Sequence, residues 1–237
     1  MKVAVLFSGG KDSTYSAFLL SKQGYKIEYL VTILPKAQDS WMFHFPCIEL
    51  TKLQAKALGI KHLIEKTEGK KEKELEDLKN ALEKIKNKVE GVVSGCIASS
   101  YQKNRIYKIC LDLGLKHITP LWHRNSEELL REEIDSGFDI IITGIFSEGF
   151  NKNWLGRRID EKTIEDLITL SRKYGVNLSG EGGEYESLTL DCPIFKKKIK
   201  ILDYEKIWNE RSSSGYLVVK DAILENKVSL INIDSNK

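Results

Sequence analysis

Residues 8–13 (SGGKDS) combine, in one short run, residue types that can bind an anion. The run follows an apolar, strand-like stretch at residues 3–7 and precedes a helix-like stretch. Glycines let a backbone approach a ligand closely, and the N–H groups and dipole at a helix N-terminus favour negative charge. Lys11 adds a positive charge, and Ser13 could cap the helix or bond a phosphate oxygen. This run therefore predicts a phosphate-binding loop.

Asp12 is the unusual member of the loop, because an acid repels phosphate unless a cation lies between them. A bound Mg²⁺ would supply that cation, so Asp12 is the predicted metal ligand. The run does not fit a Walker A loop, which requires a glycine five residues before Gly10, where this chain has Val5. A Walker A loop also requires Ser or Thr directly after the lysine. A glycine-rich turn without a ligand is the alternative interpretation.

A second polar cluster, GEGGEYES at residues 180–187, gathers three acids around a glycine turn. The alternation of a strand places Glu184 and Glu186 on one face and Tyr185 on the other, while Glu181 lies across two glycines. Three carboxylates this close together require a cation. We therefore expect the cluster to face an active-site cleft, and a solvated hairpin turn is the alternative.

A third polar stretch, SGCIASSYQKNR at residues 94–105, follows a short strand candidate and opens a helix. Ser94 and Gly95 are well placed to approach a nucleotide. Tyr101 and Arg105 are four residues apart and share one helix face. A cationic Arg105 near an α-phosphate would stabilise charge as pyrophosphate leaves. The alternative is an arginine on the helix surface.

The elements that position these residues follow an alternating order. Strand candidates lie at 3–7, 26–34, 61–65, 91–95 and 117–121, with helical periods at 13–22, 49–59, 74–85 and 101–114 between them. This order predicts an α/β fold, a parallel sheet with helices on both faces. A buried strand at 138–146 follows, with one helix before it and one after it in the sequence. From Gly180 onward the pattern indicates short strands and turns. We predict domains at 1–124 and 125–227 and a frayed tail at 228–237.

Composition restricts the class of protein. The 237 residues include 37 Lys and Arg against 34 Asp and Glu, a near balance that argues against a general nucleic-acid binder. No segment reaches the roughly 20 apolar residues of a bilayer span, and the first apolar run is too short for a signal peptide. We therefore predict a cytoplasmic protein without a membrane partner. The four cysteines form no CxxC pair and are expected to be free thiols.

The SGGKDS run resembles the pyrophosphate-binding loop (PP-loop) of the N-type ATP pyrophosphatases. Four further stretches, at residues 39–46 (DSWMFHFP), 91–122, 138–160 and 180–195, resemble the diphthine–ammonia ligase family within that superfamily. The resemblance extends from residue 2 to about 227, and GEGGEYES is its most specific part. It implies a Rossmann-like (HUP-type) five-stranded parallel sheet, in agreement with the alternation, plus a smaller C-terminal α+β domain.

The resemblance also implies a reaction. Members of the family amidate the diphthine carboxylate on translation elongation factor 2 with ammonium, through an acyl-adenylate, giving diphthamide, AMP and pyrophosphate. ATP and Mg²⁺ are the expected cofactors, and elongation factor 2 and ammonium the expected partners. The protein could also form a homodimer. The alternatives are another PP-loop adenylating enzyme that modifies tRNA and a non-catalytic adenine-nucleotide sensor.

Roles for individual residues follow from matching these motifs. The expected catalytic residues are Lys11, Asp12, Arg105, Glu184 and Glu186. The expected nucleotide-binding residues are Ser8, Gly9, Gly10, Lys11, Asp12, Ser13, Met42, His44, Ser94 and Gly95. The expected substrate-binding residues are Tyr101, Gln102, Glu181, Gly182, Gly183 and Tyr185. The acidic cluster would hold ammonium, the trimethylammonium group of diphthine or a second Mg²⁺, with a cation–π contact from Tyr185.

Overall fold

The computed structural model describes residues 1–35, 47–68 and 71–227. Its first unit is a five-stranded sheet made of β1 (Lys2–Leu6), β2 (Lys26–Pro35), β3 (Lys61–Thr67), β4 (Gly91–Val93) and β5 (Lys116–Ile118). All neighbouring strands are parallel, in the order β3-β2-β1-β4-β5, which confirms the predicted sheet. The strand order reverses between β1 and β4. In sheets of this class, ligands bind in the crevice outside the carboxyl ends at such a reversal.

Helices cover both faces of this sheet, as predicted. They are α1 (Lys11–Lys22), α2 (Thr51–Leu58), α3 (Lys71–Glu83) and α4 (Ser100–Asp112). Because side chains alternate along a strand, Val3 and Val5 of β1 belong to one apolar cluster, with α1 and α2. Ala4 belongs to a second cluster, with α3 and α4. Within the described residues, no helix has both the length and the apolar composition that crossing a membrane requires.

The second unit confirms the predicted α+β architecture. It contains α5 (Ser126–Asp135), β6 (Asp139–Ile145), α6 (Glu161–Tyr174), β7 (Tyr185–Asp191), β8 (Lys197–Asn209) and β9 (Ser214–Asn226). The strands form an antiparallel sheet in the order β7-β6-β9-β8. The expectation of only short strands after Gly180 is wrong, since β8 and β9 have 13 residues each. The polar residue Asp203 lies at register shifts inside this hairpin, so an irregularity accommodates it without a turn.

One apolar cluster joins the two units. The rings of Tyr15 and Phe18 on α1 pack against Phe138 of the second unit, with centroids 5.4 and 5.5 Å apart. The Tyr15 hydroxyl also donates a hydrogen bond to Glu132 on α5, at 3.1 Å. Leu129 of α5 is completely buried in the same cluster. Because the units share this core, we expect them to unfold together.

Leu129→Ala should lower the free energy of unfolding by about 2–5 kcal/mol, since it removes buried methyl groups from the shared core. Urea denaturation followed by far-ultraviolet circular dichroism and by tryptophan fluorescence measures the change. Both signals should shift to lower urea by the same amount. Leu111→Ala is the matched control, because Leu111 is 64% exposed, and it should change stability by less than about 0.5 kcal/mol. Two separate transitions would contradict a shared core.

Candidate active site

The SGGKDS loop lies at the carboxyl end of β1, beside the reversal in strand order. Helix α1 begins directly at Lys11, and its N-cap residue, Gly10, has no side chain that could accept a hydrogen bond from the helix. Ser13 is therefore not the cap, and the expectation that the helix begins there is wrong. The Ser13 hydroxyl instead donates to the carbonyl of Gly10 at 3.2 Å and lies 3.2 Å from the Ser8 hydroxyl. The first N–H groups of a helix have no intrahelical acceptor, and the dipole at this end of α1 favours an anion.

Lys11 and Asp12 form an ion pair at the start of α1. The Lys11 side chain is 1% exposed, and its Nζ lies 2.6 Å from Oδ1 of Asp12. Burial acts to lower the pKa of Lys11, but the charges of Asp12 and Glu133 outweigh it and raise that pKa above its ordinary value. Lys11 is therefore cationic at neutral pH. The Asp12 side chain is 28% exposed, which leaves its carboxylate able to meet a cation from outside.

Glu181 of the GEGGEYES segment contacts the loop that follows β4. Its two carboxylate oxygens accept hydrogen bonds from the backbone N–H groups of Ile97 and Ala98, at 2.8 and 2.6 Å. Gly95 lies in the same loop, and a Cβ built on it would lie 3.0 Å from the carbonyl carbon of Asp12. The second unit thus holds the β4 loop, which in turn packs against the start of α1.

Glu186 and Glu184 have different surroundings. Glu186 lies in β7, where burial raises its pKa to about 8, with Asp12 adding to the rise and Lys11 opposing it. Glu184 precedes β7, and its carboxylate accepts a hydrogen bond from the N–H of Asn177 at 3.2 Å. The structure therefore places Glu186 within electrostatic reach of Asp12, whereas it directs Glu184 to a neighbouring loop. Among the described residues, no three His, Cys, Asp or Glu side chains are grouped to hold a metal ion.

The other members of the segment form the turn and the core. A Cβ on Gly182 would lie 2.6 Å from the carboxylate of Glu184, whereas the space beside Gly183 is open. Tyr185 is buried, and its hydroxyl donates to the carbonyl of Leu178 at 2.7 Å. The structure does not bring Tyr185 to a surface where its ring could contact a cationic substrate.

The polar residues between β4 and α4 form two groups. The buried hydroxyl of Ser94 lies 2.8 Å from Nε2 of His117 on β5. On α4, the Arg105 guanidinium stacks over the Tyr101 ring at 3.8 Å from its centroid, as expected for one helix face. Gln102 is exposed beside them. The predicted residues Met42 and His44 lie at 36–46, outside the described residues.

Three residues that surround the phosphate-binding loop were not predicted from the sequence. Ser187 of β7 accepts a hydrogen bond from the N–H of Lys11 at 3.2 Å. Gln54 of α2 donates to the carbonyl of Gly9 at 2.8 Å. Glu133 of α5 is 0% exposed, and neither of its oxygens has a hydrogen-bond partner in the described structure.

A sequence signal for two of these residues did exist. Gln54 is four residues from both Leu50 and Leu58, and Glu133 is four residues after Leu129. Each is therefore a polar residue on the apolar face of a helix. Such a residue is buried when the helix packs, and a buried polar group needs a partner or a function.

A parallel sheet whose first strand leads into a glycine loop and a helix start, with lysine and aspartate beside it, defines a protein of the Rossmann-like class, in which such loops are suited to phosphate. Residues 1–117 match the family model of the diphthamide synthase N-terminal domain, and residues 125–224 match that of the diphthamide synthase C-terminal domain. The chain therefore belongs to the diphthamide synthase family, which confirms the resemblance found in its motifs.

Curated relatives carry the name diphthine–ammonia ligase. The chain is 36% identical to that of Homo sapiens over 258 residues, covering 98% of this chain and 95% of the human one. It is 32% identical to that of Schizosaccharomyces pombe over 241 residues, covering 94% of this chain and 40% of the yeast one. A crystal structure of a predicted subunit of tRNA methyltransferase from Methanocaldococcus jannaschii gives a TM-score of 0.43 at 21% identity, covering 81% and 97% of the two chains. That likeness is too weak to support an argument.

Glu133 predicts a pH-dependent stability. Burial raises the pKa of Glu133 to about 8, against the opposing charge of Lys11. A carboxyl that is protonated when folded and ionised when unfolded makes the free energy of unfolding decrease as pH rises, between about 4.5 and 8. Glu133→Gln removes this effect. Its stability relative to the unaltered chain should increase with pH, reaching a gain of about 1–3 kcal/mol at pH 8.

Urea titrations at several pH values measure this difference. Glu128→Gln is the control, because Glu128 is exposed on the same helix, and its effect should not vary with pH in this range. If Glu133→Gln instead lost stability relative to the unaltered chain as pH rises, Glu133 would be ionised and paired with Lys11 in the folded protein.

Proposed function

We propose that this chain uses ATP and ammonium to amidate the diphthine carboxylate on translation elongation factor 2. The products are diphthamide, AMP and pyrophosphate. The match to curated diphthine–ammonia ligases over nearly the whole chain is the observation on which this rests. The glycine loop at the start of α1, with the Lys11 charge beside it, supports ATP as the nucleotide that activates the carboxylate.

The loop residues fit the triphosphate of ATP. The N–H groups at the start of α1 would face phosphate oxygens, and the charge of Lys11 would balance them. Because Gly95 has no side chain, the loop after β4 can approach the start of α1, at the reversal in strand order. Arg105 opens α4 after this loop and is the candidate for stabilising charge at the α-phosphate.

Two bond exchanges complete the reaction. A carboxylate oxygen of diphthine attacks the α-phosphorus of ATP, and the bond from that phosphorus to the bridging oxygen of the β-phosphate breaks. Pyrophosphate leaves with that oxygen. Ammonium gives up one proton, and the resulting ammonia attacks the acyl carbon. The bond from the acyl carbon to the phosphate oxygen then breaks, AMP leaves, and the nitrogen loses a second proton.

Asp12 is the residue that would hold Mg²⁺. A partly exposed carboxylate at a phosphate-binding loop fits this ion, which usually combines one or two carboxylates with substrate phosphates. When bound, Mg²⁺ would neutralise charge on the phosphates as pyrophosphate departs. Asp12 has a second role in this chain, since its contact with Lys11 fixes the position of that ammonium group.

Glu186 is our candidate for binding ammonium. Glu181 already accepts two backbone hydrogen bonds, and Glu184 accepts one from Asn177. Glu186 lies near Asp12 with a pKa of about 8, so it exchanges a proton close to physiological pH. A carboxylate with such a pKa can hold ammonium and take the proton that must leave before attack.

An assay with purified protein, ATP, Mg²⁺, ammonium and diphthine-bearing elongation factor 2 tests the proposed reaction. We expect AMP and pyrophosphate in equal amounts, together with conversion of the carboxylate to the amide in the modified histidine peptide. Mass spectrometry of that peptide measures the conversion. Omitting diphthine should abolish both signals. ATP binding without pyrophosphate release would contradict the proposed substrate, and pyrophosphate release with tRNA alone would assign the chain to a different reaction.

Glu186→Gln should raise the KM for ammonium about tenfold or more, since it removes a charged hydrogen-bond acceptor. In the unaltered protein, ammonium binding should strengthen as pH rises through about 8, because Glu186 then becomes ionised. Ammonium itself also titrates with pH, but this contribution is the same for both proteins and cancels when the Gln variant is compared with the unaltered protein at each pH. Glu210→Gln, at an exposed position, is the control. An unchanged KM would exclude this role for Glu186.

A further inference from the structure

Gln54 connects the phosphate-binding loop to the second unit. It lies on α2 and is 0% exposed. Its Nε2 donates hydrogen bonds to the carbonyl oxygens of Gly9 and Thr189, both at 2.8 Å. Because both partners are carbonyls, the nitrogen of the amide must face them. The two donors of this one nitrogen therefore join a loop residue to a residue of β7.

The Gly9 carbonyl has a second donor. The N–H of Thr189 reaches the same oxygen at 3.0 Å. Gly9 has a φ of +81°, and a Cβ built on it would lie 2.2 Å from Oε1 of Gln54. A side chain at this position would therefore displace Gln54 as well as strain the backbone. The carbonyl side of the loop is thus closed by Gln54 and β7.

The orientation of this carbonyl fixes the next N–H group. A trans peptide points its C=O and N–H in opposite directions, and no cis peptide bond occurs among the described residues. With the Gly9 carbonyl turned towards Gln54, the Gly10 N–H points to the other side of the loop. There it meets the Ser8 hydroxyl only at a long 3.4 Å. Glycines flank this peptide, so little in the local backbone would prevent its rotation.

We propose that Gln54 is a positioning residue that holds the Gly9–Gly10 peptide with its N–H directed towards bound phosphate. This inference depends on the proposed function only in taking ATP as the ligand of the loop. Without Gln54, only the N–H of Thr189 holds the Gly9 carbonyl, so the peptide rotates more readily and presents its carbonyl oxygen to the phosphates, which repels them. Gln54 touches no substrate itself. Its effect is specific to ligands that carry phosphate.

Gln54→Met tests the proposal, since it keeps the length of the side chain but removes both donors. Isothermal titration should show ATP binding weakened about tenfold or more, because losing one of its two donors lets the Gly9 carbonyl turn towards the ligand. Adenosine binding should be unchanged. The ratio of the two affinities is informative even if part of the variant is unfolded, because both ligands bind the same folded molecules.

Two further variants complete the test. Lys56→Met places the same substitution at an exposed position of α2 and should leave the ratio unchanged. Gln54→Glu keeps the shape and, when protonated, one donor, so it should weaken ATP binding less than Gln54→Met does. An unchanged ratio in Gln54→Met, with lower thermal stability only, would overturn the proposal. ATP binding without amidation by the unaltered protein would overturn the proposed function alone, and absence of ATP binding would overturn both.

Discussion

The carbonyl oxygen of Gly9 is the point on which the candidate site depends. It accepts hydrogen bonds from the N–H of Thr189 and the amide of Gln54, so three separate parts of the chain meet at one atom. A loop with two consecutive glycines has little conformational preference of its own. Its shape is therefore determined by contacts from α2 and β7, and the first sheet alone does not supply them.

The same packing explains the charges around Lys11. Closing β7 and α5 over the loop buries one ammonium group beside Asp12, Glu133 and Glu186. One cation cannot fully stabilise three neighbouring carboxylates, and burial raises the pKa values of Glu133 and Glu186 to about 8. Burial next to Asp12 therefore favours the protonated forms of these two acids. Entry of a cation near Asp12 would favour release of a proton from Glu186.

Sequence patterns predicted the sheet because the spacing of apolar residues and the residue types of a loop are local properties of the chain. The five parallel strands, the phosphate-binding loop and α5 at 126–135 all depend on neighbouring residues. The direction of Glu184, the burial of Tyr185 and the contact of Glu181 with Ile97 depend instead on how the second unit docks. No periodicity within the GEGGEYES segment contains that information. The length of β8 and β9 was missed because it depends on pairing between the two strands, which no local pattern contains.

The docking of the two units also connects stability to function. Tyr15 and Phe18 follow the loop on α1 and pack against Phe138, so the helix that would face phosphate is held by the second unit on its opposite side. Displacing that unit would remove two contacts at the loop together, the Thr189 N–H on the Gly9 carbonyl and the Ser187 hydroxyl on the Lys11 N–H. The geometry of the loop and the shared core are therefore coupled, because the same docked unit supplies contacts to both.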